Sequence, residues 1–289
     1  MQRQKRQRRL LVVGGIVLGL LLVAGGIAMV VARRAEAPAP PKTANHAEER
    51  QEAPQGREKV VESVSVQPII DQFVASSSVD YGIEVYDVAA GKVIGAHQPD
   101  KQFFPASTYK LYVAFLSLQR MQTGEFTDTP NFVGERSRMD CIYYTIEVSD
   151  SPCGEALMRD ITQEKMGQEL KALGQTNSPF PGFLTTAHDA NVILRHIAEG
   201  KHLNKENTDY LLKAMNTQIY NKGLTAGFDQ AKVYDKIGFN LDINYHDVAI
   251  VEFPTGRKFL VSVYSQGQGL PTPQRKLAQL LQTELAKLQ

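Results

Sequence analysis

Cysteine is almost missing from this chain. Cys141 and Cys153 are the only two, twelve positions apart, and no histidine lies near enough to complete a ligand set. That excludes a structural zinc site. Strong net charge is missing too, at +1 over 289 residues. The first 34 residues contain no acid, only seven basic side chains (Arg3, Lys5, Arg6, Arg8, Arg9, Arg33 and Arg34). The remainder holds 25 basic against 31 acidic groups, a balance of −6, which argues against nucleic acid as a partner. No internal repeat is visible, and residues 35–57 hold no large apolar side chain.

What is present divides the chain. Leu10 to Ala32 is an uncharged run rich in Leu, Val, Gly and Ile. At ~1.5 Å per residue it covers the ~30 Å of a bilayer core. The apolar part of a cleaved signal peptide, the rival reading, is only ~7–15 residues long. The sequence therefore predicts a basic cytoplasmic segment (1–9), a single transmembrane anchor (10–32), a disordered linker (33–57) and a folded domain (58–289). More basic residues precede the span than follow it, so the domain is expected to be extracytoplasmic. In that oxidising setting Cys141 and Cys153 are expected to pair, worth roughly 2–3 kcal/mol. Two unpaired thiols are the alternative.

Apolar spacing predicts an entry helix over 58–75 and a β-hairpin of Tyr81–Asp87 with Val93–Ala96. A mostly helical stretch follows from Ser107 to about Leu224, broken at Gly124, Pro152, Gly174, Pro179 and Pro181. Strands return at Lys232–Phe239, His246–Phe253 and Phe259–Ser265, and an amphipathic helix closes the chain at Pro273–Leu288. The expected fold is α/β in three layers (α-β-α): an antiparallel sheet flanked by the terminal helices, with an all-helical insertion. A cleft between sheet and insertion is where the chemistry is expected.

Three short motifs carry that chemistry. Ser107-Thr-Tyr-Lys110 sets a hydroxyl and an amine one helical turn apart at the head of an apolar helix. With 13 serines, about one S-x-x-K arises by chance, so context decides. Ser149-Asp150-Ser151 precedes a proline, also an ordinary helix start. Lys236-Ile237-Gly238 lies within a strand, where glycine permits close approach to the backbone.

In their order and placement these motifs resemble those of class A β-lactamases and their penicillin-binding relatives, from about Val60 to the C-terminus. Leu184-Thr-Thr-Ala-His-Asp-Ala and His246-Asp-Val-Ala-Ile-Val are similar to further stretches of that family. The resemblance implies a serine hydrolase in which Ser107 is acylated and Lys110 takes its proton. It implies that Ser149 passes a proton to the leaving nitrogen and Lys236 attracts a substrate carboxylate. The backbone N–H groups of Ser107 and Phe239 would hold the oxyanion. Ser151, Gly238 and His246, with Tyr245 beside it, are the substrate-contact candidates. No cofactor or metal is implied.

Departures from the family pattern matter for the reaction. The loop between Gly174 and Thr185 lacks the glutamate that activates the hydrolytic water, so β-lactams are expected to deacylate poorly. Ile237 replaces a threonine, which costs roughly 1.5–3 kcal/mol of carboxylate binding. Ser151 replaces an asparagine. Tyr143 and Tyr144 either wall the cleft or pack in the core. The expected function is a membrane-anchored acyl hydrolase or acyltransferase acting on cell-wall peptide or β-lactam-like amides. A working class A-type β-lactamase and a non-catalytic wall-binding module are the alternatives.

Overall fold

The computed structural model describes residues 64–288. Contacts divide the chain into residues 1–57 and Glu58–Gln289, and the described residues all belong to the second unit. The anchor and linker expectations lie outside the described residues. Among those residues no helix is long and apolar enough to cross a membrane.

In chain order the elements are α1 (Gln67–Ala75), β1 (Asp80–Asp87), β2 (Lys92–His97), α2 (Tyr109–Thr123), α3 (Arg138–Glu147), α4 (Ser151–Ile161), α5 (Gln163–Ala172), α6 (Ala187–Ala198), α7 (Lys205–Asn216), the short α8 (Leu224–Gly227), β3 (Lys232–Asn240), β4 (Asn244–Glu252), β5 (Lys258–Gln266) and α9 (Thr272–Leu285). The strands form one antiparallel sheet ordered β2-β1-β5-β4-β3.

Side chains alternate across that sheet, and each face carries its own core. Val233, Ala249, Val251, Val261 and Val263 pack with α1, α8 and α9. Tyr234, Val248, Ile250, Leu260 and Tyr264 pack with the helical block. The expected three layers and antiparallel sheet are found.

Two boundaries differ. The entry helix begins at Gln67, not in the described residues before it, because Pro68 occupies its first turn and the Val66 N–H donates to Ile94 O. β4 begins at Asn244, so Tyr245 and His246 lie inside the strand. The break expected at Pro152 falls between α3 and α4, and Pro152 sits in the first turn of α4, where its missing N–H costs nothing.

Candidate active site

Ser107 lies in a single 3-10 turn, Ala106–Thr108, that runs straight into α2. Ala106 just before it has φ +44°, a left-handed conformation that a β-carbon resists. The turn packs on β3 at Gly238. A Cβ there would fall 2.6 Å from Ser107 N, 2.8 Å from Thr108 N and 2.9 Å from Pro105 O. Gly238 therefore acts by absence of a side chain, letting the turn that carries Ser107 lie directly against the strand.

The second motif is pinned by a disulfide. Cys141 of α3 and Cys153 of α4 are bonded, with Cα atoms 4.9 Å apart, and the bridge closes around the turn bearing Ser149. Asp150 caps α4 by accepting from Cys153 N at 2.8 Å, and its other oxygen pairs with Arg136. Ser149 itself has φ +56°.

Both lysines are buried and converge on that turn. Lys110 Nζ donates to Ser149 O at 2.6 Å, to Ser151 Oγ at 3.0 Å and to Ser149 Oγ at 3.4 Å. Lys236 Nζ donates to Ile237 O at 2.7 Å and to Ser149 Oγ at 3.0 Å, with Gln218 Oε1 at 3.5 Å. Burial disfavours the charged amine and brings Lys110 down to about 8, although Asp150 and Glu155 pull it back up. Lys236 falls to about 7, first through burial and then through the positive charge of Lys110. The stem of Lys110 fits because Gly154 leaves room; a Cβ there would meet Lys110 Cε at 3.1 Å.

Ser107 and Lys110 line one cavity of about 610 Å³. Ser107 Oγ is not among the hydrogen-bond partners of Lys110, whose donors are turned to the Ser149–Ser151 turn. The pair thus shares a site without the direct bond that the motif spacing suggests. Catalytic hydrogen bonds are often looser before substrate arrives.

The backbone of Phe239 is placed by strand alternation. Along β3 the odd residues turn their N–H and C=O groups away from β4. Val233 O accepts from Asn216 Nδ2, Asp235 O accepts from Gln218 Nε2, and Ile237 N donates to Gln218 Oε1. Phe239 is next in this outward set, and it borders the same cavity as Ser107.

Other candidates fall elsewhere. His246, read as a substrate contact, is fully buried and held at both ring nitrogens by backbone. Ser265 N donates to Nδ1 at 3.2 Å, so Nε2 carries the proton and donates to Phe104 O at 2.8 Å. Burial depresses its pKa to about 4 and keeps it neutral. It is a structural residue that fastens β4 to the segment leading to Ser107. Ile237 is also fully buried, its side chain on the face opposite Lys236. Tyr143 packs against the helical core and exchanges a hydrogen bond with Thr217 at 2.9 Å, while Tyr144 lies under Arg136.

Three contributions escape the sequence reading. Glu155 lines the cavity from α4, four residues past Ser151 and so on the same helix face, a spacing that was legible. Phe104, Tyr109 and Phe183 form an aromatic wall, with Phe183 supplied by the loop that lacks the family's acid. Gln218 links the Asp235 carboxylate (2.9 Å) to Lys236, and nothing in its sequence surroundings announces that.

A buried amine pair, a bridging hydroxyl and a serine at a helix head define a serine hydrolase that works through an acyl-enzyme. The model of the beta-lactamase enzyme family matches residues 134–287, more than half of the chain, and the protein belongs to that family. Similar solved structures share the fold. PBP-A matches with TM-score 0.69 and 17% identity over 77% of this chain and 97% of its own. A beta lactamase from Xanthomonas campestris pv. campestris matches with TM-score 0.68 and 21% identity over 75% and 96%. A PBP-A variant solved as an acyl-enzyme with penicillin G matches with TM-score 0.67 and 17% identity over 76% and 95%. Among curated proteins there is no match.

Proposed function

We propose that this protein is a membrane-tethered, extracytoplasmic acyl hydrolase or acyltransferase that is acylated at Ser107. Its substrates are cell-wall peptides or β-lactam-like amides that end in a carboxylate. The observation that carries this reading is the convergence of Lys110 and Lys236 on Ser149 Oγ beside Ser107. The tether rests on the apolar run of residues 10–32.

In the proposed reaction Ser107 Oγ bonds to the substrate carbonyl carbon while its proton passes to neutral Lys110, which turns from Ser151 to receive it. Lys110 returns the proton through Ser149 to the leaving nitrogen as the C–N bond breaks. The backbone N–H groups of Ser107 and Phe239 steady the oxyanion, a contribution of several kcal/mol when preorganised. Lys236, while charged, holds the carboxylate.

Deacylation is the slow step of this proposal. No acid occurs between Gly174 and Thr185, and the one carboxylate lining the cavity, Glu155, is 57% exposed. Water stabilises an exposed carboxylate and makes it a weak general base. The test is to incubate the full-length chain with penicillin G and follow intact mass. A persistent adduct on the wild type and none on Ser107→Ala is expected. Rapid return to the free mass, or labelling of the alanine variant, refutes it.

A further inference from the structure

Phe239 borders a second cavity as well as the catalytic one. This groove, about 420 Å³, is lined by Ile219, Tyr220, Lys222, Leu241, Tyr245 and Leu270 among others. Its floor is aromatic: the Phe239 ring stacks on its cross-strand partner Tyr245 at 6.2 Å and meets Tyr220 at 5.8 Å. Scattered exposed hydrophobics are ordinary, but here they gather. Of the eight large apolar side chains exposed among the described residues, Ile219, Tyr220, Leu241 and Leu270 all line this groove. Its lining carries one charge, Lys222, and no acid.

We infer that the groove is a substrate subsite for an apolar or aromatic group whose anionic end pairs with Lys222. The inference rests on the reading of Ser107 as the acylated nucleophile. The border that the groove shares with the catalytic cavity at Phe239 favours substrate as the occupant. In the proposed reaction the backbone N–H of Phe239 meets the reacting carbonyl while its ring floors the groove, so one ligand passing the free edge of β3 would reach both. The volume suits a ring-sized substituent and falls within the usual range of small-ligand sites, about 300–1,000 Å³. The lone lysine favours an anion there.

The test uses the full-length chain and three boronic acids, which add reversibly to a nucleophilic serine. Methylboronic acid reports Ser107 alone, phenethylboronic acid adds the ring, and its carboxylated analogue adds the anion. The ring is expected to improve Ki by about tenfold or more, and the carboxylate by about threefold further. Leu241→Asp and Tyr220→Ala should each cut the ring's advantage below about threefold while leaving methylboronic acid within about twofold. Lys222→Ala should remove only the carboxylate increment. An advantage that survives these substitutions overturns the subsite. So does a dimer that Leu241→Asp dissociates with boronate affinities unchanged, because the groove then belongs to a second copy. Failure of the nucleophile shows differently: methylboronic acid would bind Ser107→Ala as well as wild type. Phenylpropionate, which has no electrophile, tests the groove independently of Ser107; it should bind wild type and not Leu241→Asp, and equal binding overturns the proposal.

Discussion

Lys110 and Lys236 donate to one oxygen: Ser149 Oγ lies 3.4 Å from the first amine and 3.0 Å from the second. Burial disfavours the ammonium form of both, and the charge of Lys110 presses Lys236 further down, so these amines shed protons at lower pH than exposed lysines would.

The consequence is a pH profile with crossed requirements. In the proposed reaction acylation needs Lys110 neutral, which grows in around pH 8, and a carboxylate substrate needs Lys236 charged, which fades around pH 7. A carboxylate-bearing substrate should acylate fastest between about pH 7 and 8, with about a tenfold fall per unit on either side. A substrate without the carboxylate should keep only the rising alkaline limb. Second-order acylation rates of such a matched pair decide the matter; two identical bells would remove Lys236 from carboxylate recognition.

Gly238→Ala is expected to damage activity more than stability. The added carbon would meet three backbone atoms of the nucleophile turn, none of which can swing aside as a side chain could. A shift of about 1 Å at Ser107 costs roughly a hundredfold in rate, whereas overpacking costs about 1–3 kcal/mol of stability. Acylation kinetics beside a thermal melt measure the two losses; unchanged acylation would mean the strand yields instead.

Removing the Cys141–Cys153 bond should loosen the turn that carries Ser149. A loop of this length contributes about 3 kcal/mol. The double variant Cys141→Ser/Cys153→Ser should therefore lose about that much stability, read by denaturant unfolding, and melt at a lower temperature. Reductant should lower the wild-type melt and leave the variant's alone.

His246 predicts an acid limit on folding rather than on binding. Its folded pKa, about 4, lies below the ordinary value of 6.5, so between these the unfolded chain takes up the proton and the folded one does not. Stability falls as pH drops from about 6.5 to 4, by up to about 3 kcal/mol from this one residue. His246→Gln should flatten that slope and lower the neutral-pH melt, with little change in the apparent affinity for substrate. A variant that instead loses only affinity would return His246 to the binding site.

Of the three motifs, Ser107-Thr-Tyr-Lys110 and Ser149-Asp150-Ser151 supply residues that line one cavity (Ser107, Lys110 and Ser151), and Lys236 and Gly238 meet them from β3 through Ser149 Oγ and the backbone of Ser107, because each motif is local and has a spacing that survives in the fold. The alternating strands were legible for the same reason. What escaped depends on distant segments meeting. Gln218 reaches Lys236 only because the chain after α7 runs beside β3, and His246 is structural only because Phe104 O and Ser265 N close on its two nitrogens. The rotation of Lys110 toward Ser149 and Ser151 is a rotamer choice made by the surrounding acceptors, and S-x-x-K spacing does not encode it.

The side-chain amides of Asn216 and Gln218 seal the outer rim of β3 as far as Ile237 and stop before Phe239. A neighbouring chain seeking to extend the sheet finds the carbonyls of Val233 and Asp235 and both backbone groups of Ile237 already engaged, which guards against edge-to-edge pairing of molecules. What remains is a gap one residue wide beside the nucleophile. On the proposed function an incoming peptide would be gripped there by its own main chain, and tolerance of its side chains and resistance to self-association would follow from the same short interruption.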